Sequence, residues 1–285
     1  MDDIRKLRPS PELLAPRSFE SRADFSRWED DLRAFFEPVY SLFTEYPDYF
    51  RTRTLEFRAL RQLLPECFGP ACRHRRGLEL GSGYGFTAAL LSPHVHELTG
   101  VDIPEKYSGY VSGDFENSTE LAKLVANDVL KLKNVEFKAA WPASLPFEDS
   151  SFDFLFSQYL LEHIPDLPAA ISEMARVLRP GGLMIHVVPS TVDMFFAYTR
   201  AQLAAGYRSL IKERLKHLIR RRGEMSATGA ISPPLHSEFA TSFEHQLQIY
   251  SLESYLFPML EQGFSVKQVT LTREVNRVIV LKRDS

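Results

Sequence analysis

The chain has 285 residues, 44% of them hydrophobic, and a formal net charge of -3. That fits a soluble globular protein of one large domain plus an appendage, and it excludes nucleic-acid binding driven by bulk charge. Two cysteines, Cys67 and Cys72, are too few for a disulfide framework, and they lack the second pair a zinc site would want.

Met1-Asp2-Asp3 opens a charged N-terminus with no apolar run behind it, so no signal peptide is expected. No stretch approaches the roughly 20 apolar residues of a membrane span. The expected location is cytoplasmic. Residues 1–22, rich in Pro, Arg and Ser, read as a loose arm. From Asp24 to Tyr46 the apolar residues Phe25, Trp28, Leu32, Phe35, Phe36, Val39, Tyr40 and Phe43 recur at three and four, which predicts an amphipathic helix. A second helix is expected from Thr54 to Leu64, stopping at Pro65. Residues 1–70 are thus an arm and helical cap, and 71–285 the main domain.

That domain opens on Gly77-Leu78-Glu79-Leu80-Gly81-Ser82-Gly83-Tyr84-Gly85-Phe86. Leu78 and Leu80 predict a buried strand that ends in a glycine turn and feeds a helix, Thr87 to Leu91. Glycines at alternate positions admit positive φ and let a ligand lie against bare main chain. Alone this is a weak signal, and a tight turn with no ligand is the alternative to it. A second strand, Glu97 to Ile103, puts Asp102 at its tip, 23 residues after Glu79. A carboxylate there suits the two hydroxyls of a nucleotide ribose.

Further on, a polar loop leads to a helix at Ser118 to Lys133, then strands at Val135 to Ala139 and Phe152 to Ser157. The last is an apolar run suited to a sheet covered on both faces. A helix from Asp166 to Leu178 is closed by Arg179-Pro180-Gly181-Gly182, and Leu183 to Val188 is the fifth strand. After a long interruption come a helix, Leu252 to Gln262, and strands Val266 to Leu271 and Asn276 to Lys282. The four residues Thr272 to Val275 are too few for a crossover, so these strands form an antiparallel hairpin. The expected fold is α/β: a Rossmann-like, doubly wound sheet of seven strands with the last antiparallel, an N-terminal helical cap, and a helical insertion at about 193–250.

Four pieces, Leu78 to Gly85, Val101-Asp102, Leu145 to Asp153 and Glu173 to Gly182, together resemble class I S-adenosylmethionine-dependent methyltransferases, of the subgroup called methyltransferase type 11. The resemblance implies that Gly81, Ser82, Gly83 and Gly85 bring backbone against the methionine part of S-adenosylmethionine. It implies that Glu79 meets the ammonium, Asp102 takes the ribose hydroxyls and Ile103 packs on the adenine. The segment Ser157 to His163 would lie beside the reactive sulfonium, with Ser157 and Gln158 on the donor and Tyr159 towards the acceptor.

One departure from the family pattern is Ala140-Trp141-Pro142-Ala143, where Gly-Asp-Ala is usual. Trp141 cannot accept the adenine amino hydrogen bond, and Pro142 has no N–H to offer. Either Trp141 stacks on the adenine, or the donor pocket is weakened, which leaves a non-catalytic binding or scaffold protein open. An NAD-dependent oxidoreductase shares the glycine turn and ribose acid, but the terminal hairpin counts against it.

For the reaction itself, His163 is the candidate base or positioning group, because histidine titrates near neutrality. His236, Glu238, Glu244 and His245 fall where substrate pockets of this family are built. From Arg200 to Arg222 there are eight Lys or Arg and one acid, Glu213, with Leu203, Tyr207, Leu210, Ile211, Leu215, Leu218 and Ile219 on one helical face. A basic amphipathic helix reads either as a contact for anionic membrane or substrate, or as a lid with a solvated face. The expected reaction is O-methylation of a small-molecule, sugar or lipid-linked acceptor, with no nucleic-acid partner and no metal.

Overall fold

The computed structural model describes residues 75–104, 117–189, 252–271 and 276–284, parts of 21–34, and the short stretches 230–231 and 249–250. The expected Thr54–Leu64 helix, both cysteines, the basic segment 200–222, and His236, Glu238, Glu244 and His245 lie outside the described residues. So does most of the first cap helix, although its described residues between 22 and 34 are helical and Trp28 is buried.

Alternation produces the sheet. β1 (Arg76–Leu80), β2 (Glu97–Asp102), β3 (Val135–Ala139) and β4 (Phe152–Gln158) are joined through α1 (Phe86–Leu91) and α2 (Ser118–Lys123). Then follow α3 (Leu167–Val177), β5 (Leu178–Pro189), α4 (Leu252–Glu261), β6 (Phe264–Leu271) and β7 (Asn276–Arg283). The seven strands run β3-β2-β1-β4-β5-β7-β6 across the sheet. Each neighbouring pair from β3 across to β5 is parallel, and β7 is antiparallel to both its neighbours. The order reverses beside β1, so the carboxyl ends of β1 and β4 frame the crevice where open α/β sheets take ligands.

Both faces are covered, which is why β4 reads FDFLFSQ rather than alternating. One core joins Leu78, Leu80, Leu155 and Met184 to Ile171 and Met174 of α3 and to Tyr255 and Met259 of α4. The opposite core joins Phe154, Phe156, Ile185 and Val280 to Ala88 and Leu91 of α1, Ala122 of α2 and Ala126 just beyond it. Each fully buried large apolar side chain contributes about 1.5–3 kcal/mol, so the sheet and its four helices form one cooperative unit.

Local chemistry sets the ends. Asn117 caps α2 by accepting from the Glu120 N–H, and Asp166 caps α3 by accepting from the Ala169 N–H. Two expectations need correcting. The helix expected from Ser118 to Lys133 is α-helical only to Lys123 and widens to a π turn over Leu124–Val129. There the Leu130 N–H reaches back to the Val125 carbonyl, and Lys131 turns out of the helix at φ 55°. Second, β5 pairs from Leu178 onwards, with Arg179 to Gly182 looped out between Leu178, opposite Phe152, and Leu183, opposite Phe154. The segment expected to be helical near 193–250 contributes a two-residue antiparallel pairing of Ala230–Ile231 with Ile249–Tyr250.

Candidate functional site

The site grows from the end of β1. Gly81, Gly83 and Gly85 all hold positive φ, at 71°, 49° and 78°. At Gly85, which caps α1, a β-carbon would come within 2.9 Å of Phe137, so only glycine lets the helix pack on β3. At Gly83 the nearest atom to an added β-carbon is Asp102 Oδ2 at 4.0 Å. Packing among the described residues therefore does not demand glycine there, and none of them lies closer to the bare backbone at that point.

Asp102 ties the next strand to this turn. Its Oδ2 accepts from the Gly83 N–H at 2.5 Å and its Oδ1 from the Ile103 N–H at 2.7 Å. The Gly81 and Ser82 N–H groups bond the Val101 carbonyl at 2.8 and 3.0 Å, fixing the turn against β2. Behind it, Glu79 is buried, and its Oε2 has no hydrogen-bond partner. Burial first, and the Asp102 charge second, push the Glu79 carboxyl well above the usual carboxylate range. Ser82 Oγ is likewise buried without a partner. Two carboxylates on one face with an orphaned oxygen make a site suited to a cationic, hydroxylated ligand.

At the tip of β3 the Ala140 N–H bonds the Asp102 carbonyl, so Trp141 follows just past the last pairing with β2. Its ring is 44% exposed while Pro142 is buried, and Trp141 bridges to Ser144. The chain after this bend is held by one arginine. Arg176 Nε and Nη2 grip both carboxylate oxygens of Glu173 at 2.7 and 2.8 Å. Its Nη1 and Nη2 also donate to the Phe147 and Leu145 carbonyls at 2.7 and 3.0 Å. The two motifs Leu145–Asp153 and Glu173–Gly182 thus meet as one hydrogen-bonded unit.

Beyond β4 the chain turns sharply. Tyr159 holds φ 50° and its N–H bonds the Val187 carbonyl, while Leu160 lies against Gly81. His163 closes the short 3-10 turn Leu161–His163 and is half-buried. The structure therefore gathers Glu79, Gly81, Ser82, Gly83, Gly85, Asp102, Ile103, Trp141, Gln158, Tyr159 and His163 along one edge of the sheet. Ser157, next to last in β4, stands at the same edge, with its side chain turned away from Glu79 and Asp102. Its hydroxyl faces the side of the sheet opposite Glu79 and Asp102 and bonds His186 Nδ1 at 2.6 Å.

His186 escaped the sequence reading, although a histidine inside the apolar run Leu183 to Val188 was the available signal. Burial pushes its imidazole down to about 3. The unfolded chain takes up this proton near pH 6.5, so the folded state has the lower value. Its contribution to stability is present above about pH 6.5 and is lost as pH falls towards 3, each unit costing about 1.4 kcal/mol. Glu79, shifted upward, works in the opposite sense. Urea unfolding at pH 7.5 and 5 is expected to show the loss in wild type, and His186→Asn is expected to reduce it. An unchanged pH dependence in that variant would place the acid sensitivity elsewhere.

Comparison with known proteins decides the family. Residues 78–186 match the family model described as a methyltransferase domain. The stretch 78–186 is a methyltransferase domain. The uncharacterized methyltransferase YcgJ of Bacillus subtilis is 35% identical over 122 residues, 41% of this chain and 44% of that protein. A demethylmenaquinone methyltransferase of Staphylococcus epidermidis is 38% identical over 91 residues, 30% of this chain and 36% of that protein. The chain thus spans under half the length of these relatives. An S-adenosylmethionine-dependent methyltransferase from Mesorhizobium loti shares the fold, with a TM-score of 0.52 at 15% identity over 80% of this chain and 98% of that one. Within the methyltransferase domain, among the described residues, no helix is long and apolar enough to cross a membrane.

Proposed function

We propose that the protein binds S-adenosylmethionine at the glycine turn and transfers its methyl group to an oxygen of a sugar or lipid-linked acceptor. The observation that carries this is Glu79, buried with an unpartnered Oε2 behind three positive-φ glycines and beside Asp102. A buried carboxylate without a partner is costly, and the donor's ammonium supplies the missing cation. The residues fit the donor in other respects too. Asp102 would accept the ribose hydroxyls, Ile103 would pack on the adenine, and the exposed Trp141 ring would stack on its other side.

When bound, S-adenosylmethionine supplies a methyl group already activated by positively charged sulfur. The chain then has to align the acceptor and take the hydroxyl proton, and His163 is the proposed base. Calorimetric titration should show S-adenosylhomocysteine binding and no NAD binding. Trp141→Ala should weaken S-adenosylhomocysteine by about 1–3 kcal/mol, by analogy with base–aromatic stacking. In a Trp28→Phe background, ligand quenching of Trp141 fluorescence reports the stack directly. Binding of NAD instead of S-adenosylhomocysteine would overturn the reading.

The acceptor class rests on the basic segment Arg200 to Arg222, which suits phosphate-bearing lipid intermediates or an anionic bilayer. Each Lys or Arg near an anionic surface contributes about 1 kcal/mol. Wild-type protein is expected to pellet with anionic liposomes at low salt, and a variant with Arg220, Arg221 and Arg222 changed to Ser to pellet less. If neither pellets, the segment does not serve a membrane.

A further inference from the structure

β7 runs against the rest of the sheet, so its first residues arrive at the carboxyl edge, where the site lies. Asn276 pairs with Pro189, Arg277 with Val188, and Ile279 with His186. Residues two apart on a strand share a face, and a long side chain reaches the diagonal neighbour across an antiparallel pair. Arg277 therefore stands on the same face as His186, and His186 on the same face as Ser157. Three strands thus set Ser157, His186 and Arg277 in a row.

The rest of that face is apolar. Leu80, Val188 and Ile279 belong to its core, together with Leu161 and Ile164 of the turn after β4. Within it, His186 Nε2 and Arg277 Nη1 are buried and have no hydrogen-bond partner. His186 is wholly enclosed. Leaving a guanidinium nitrogen out of water without an acceptor is unfavourable by the full desolvation of that group. In the tautomer where Ser157 Oγ–H donates to Nδ1, the neutral imidazole carries its proton on Nε2. In that tautomer the row offers one fixed positive charge and two unpartnered N–H donors, and no negative charge.

We propose that Arg277 and His186 form a binding site for an anionic oxygen group, a carboxylate or phosphate, of the methyl acceptor. The donor-side carboxylates Glu79 and Asp102 lie on the other face of the sheet, so this site is separate from the one that holds the donor. The inference rests on the methyl-transfer reading for the identity of its ligand, and on Arg277 and His186 alone for the anion.

Inorganic phosphate and acetate, titrated separately into the full-length chain, serve as probes. Calorimetry reads the affinity, and nitrogen-detected imidazole resonances report His186. One of the anions is expected to bind and to shift the His186 signal. Arg277→Gln should weaken it at least about tenfold, the loss of one charged hydrogen bond. Arg277→Lys should recover part of the affinity, and Lys267→Gln, exposed on β6, should change nothing. The tighter probe assigns the anion as phosphate or carboxylate.

S-adenosylhomocysteine affinity, expected to be equal in wild type and the Arg277 variants, shows that they fold. If Arg277→Gln does not fold, the wild-type His186 shift and the Arg277→Lys affinity decide. No anion binding in wild type, no accompanying His186 shift, or equal affinity in Arg277→Gln would overturn the site. Arginine-dependent phosphate or acetate binding in a protein that ignores S-adenosylhomocysteine would instead sink the methyl-transfer reading and leave the anion site standing.

Discussion

An Asp102→Ala protein is expected to fold and yet bind S-adenosylhomocysteine at least about 100-fold more weakly than wild type. Two ribose hydroxyls donating to one carboxylate contribute roughly 1.5–3 kcal/mol each before relaxation, and tenfold in affinity is about 1.4 kcal/mol. The substitution also releases the Gly83 N–H, which Asp102 Oδ2 now holds at 2.5 Å, so the turn keeps only its Gly81 and Ser82 bonds to the Val101 carbonyl of β2. Gly83→Ala separates the two effects. Its β-carbon has room, so the fold loses only the left-handed backbone penalty of about 1–2 kcal/mol, while the methyl group enters the space a donor would fill. Gly85→Ala is different, because its methyl meets Phe137 and Ala122 and strains the fold itself. Unchanged ligand affinity in a folded Asp102→Ala protein would remove the donor from this crevice.

The strands were readable because burial on both faces writes itself as short apolar runs, and because the Thr272 to Val275 link allows only a hairpin. The glycine turn, Glu79 and Asp102 were readable because the turn leaves a local signature and the acid a fixed spacing. Arg277 left no such signature. It matters because a reversed strand delivers its first residues to the site, and register across β5 follows from the packed sheet rather than from neighbours in sequence. The side that Ser157 faces was hidden for a related reason. Its position after β4 is local, but its side of the sheet follows from strand alternation, and the polar partner that occupies it, His186, comes from another strand. The π turn after Lys123 keeps its apolar residues buried, so the helical period over Ser118 to Lys133 gave no warning of it.

Arg176 is expected to carry the largest stability effect of any single polar side chain described. Four of its hydrogen bonds go to Glu173 and to the Leu145 and Phe147 carbonyls, and Glu173 in turn accepts from the Leu145 N–H at 2.9 Å. These bonds hold the Glu173 carboxyl below the usual range. The fifth, to Asp149, joins a side chain that is 77% exposed and so contributes little. With the arginine side chain 31% exposed, solvent discounts the total, and Arg176→Ala is expected to cost about 2–4 kcal/mol. Arg176→Lys should recover little of it, since one ammonium cannot serve a carboxylate fork and two carbonyls together. Asp149→Asn should stay within about 0.5 kcal/mol of wild type. Urea midpoints measure all three. The same arginine stitches down the chain that leaves Trp141, through Leu145 and Phe147, and Phe147 packs edge-on to Phe152. S-adenosylhomocysteine affinity should therefore fall in Arg176→Ala under conditions where the protein is still folded, by less than in Trp141→Ala. A variant that keeps wild-type stability would show that backbone and aromatic packing hold this loop without the arginine.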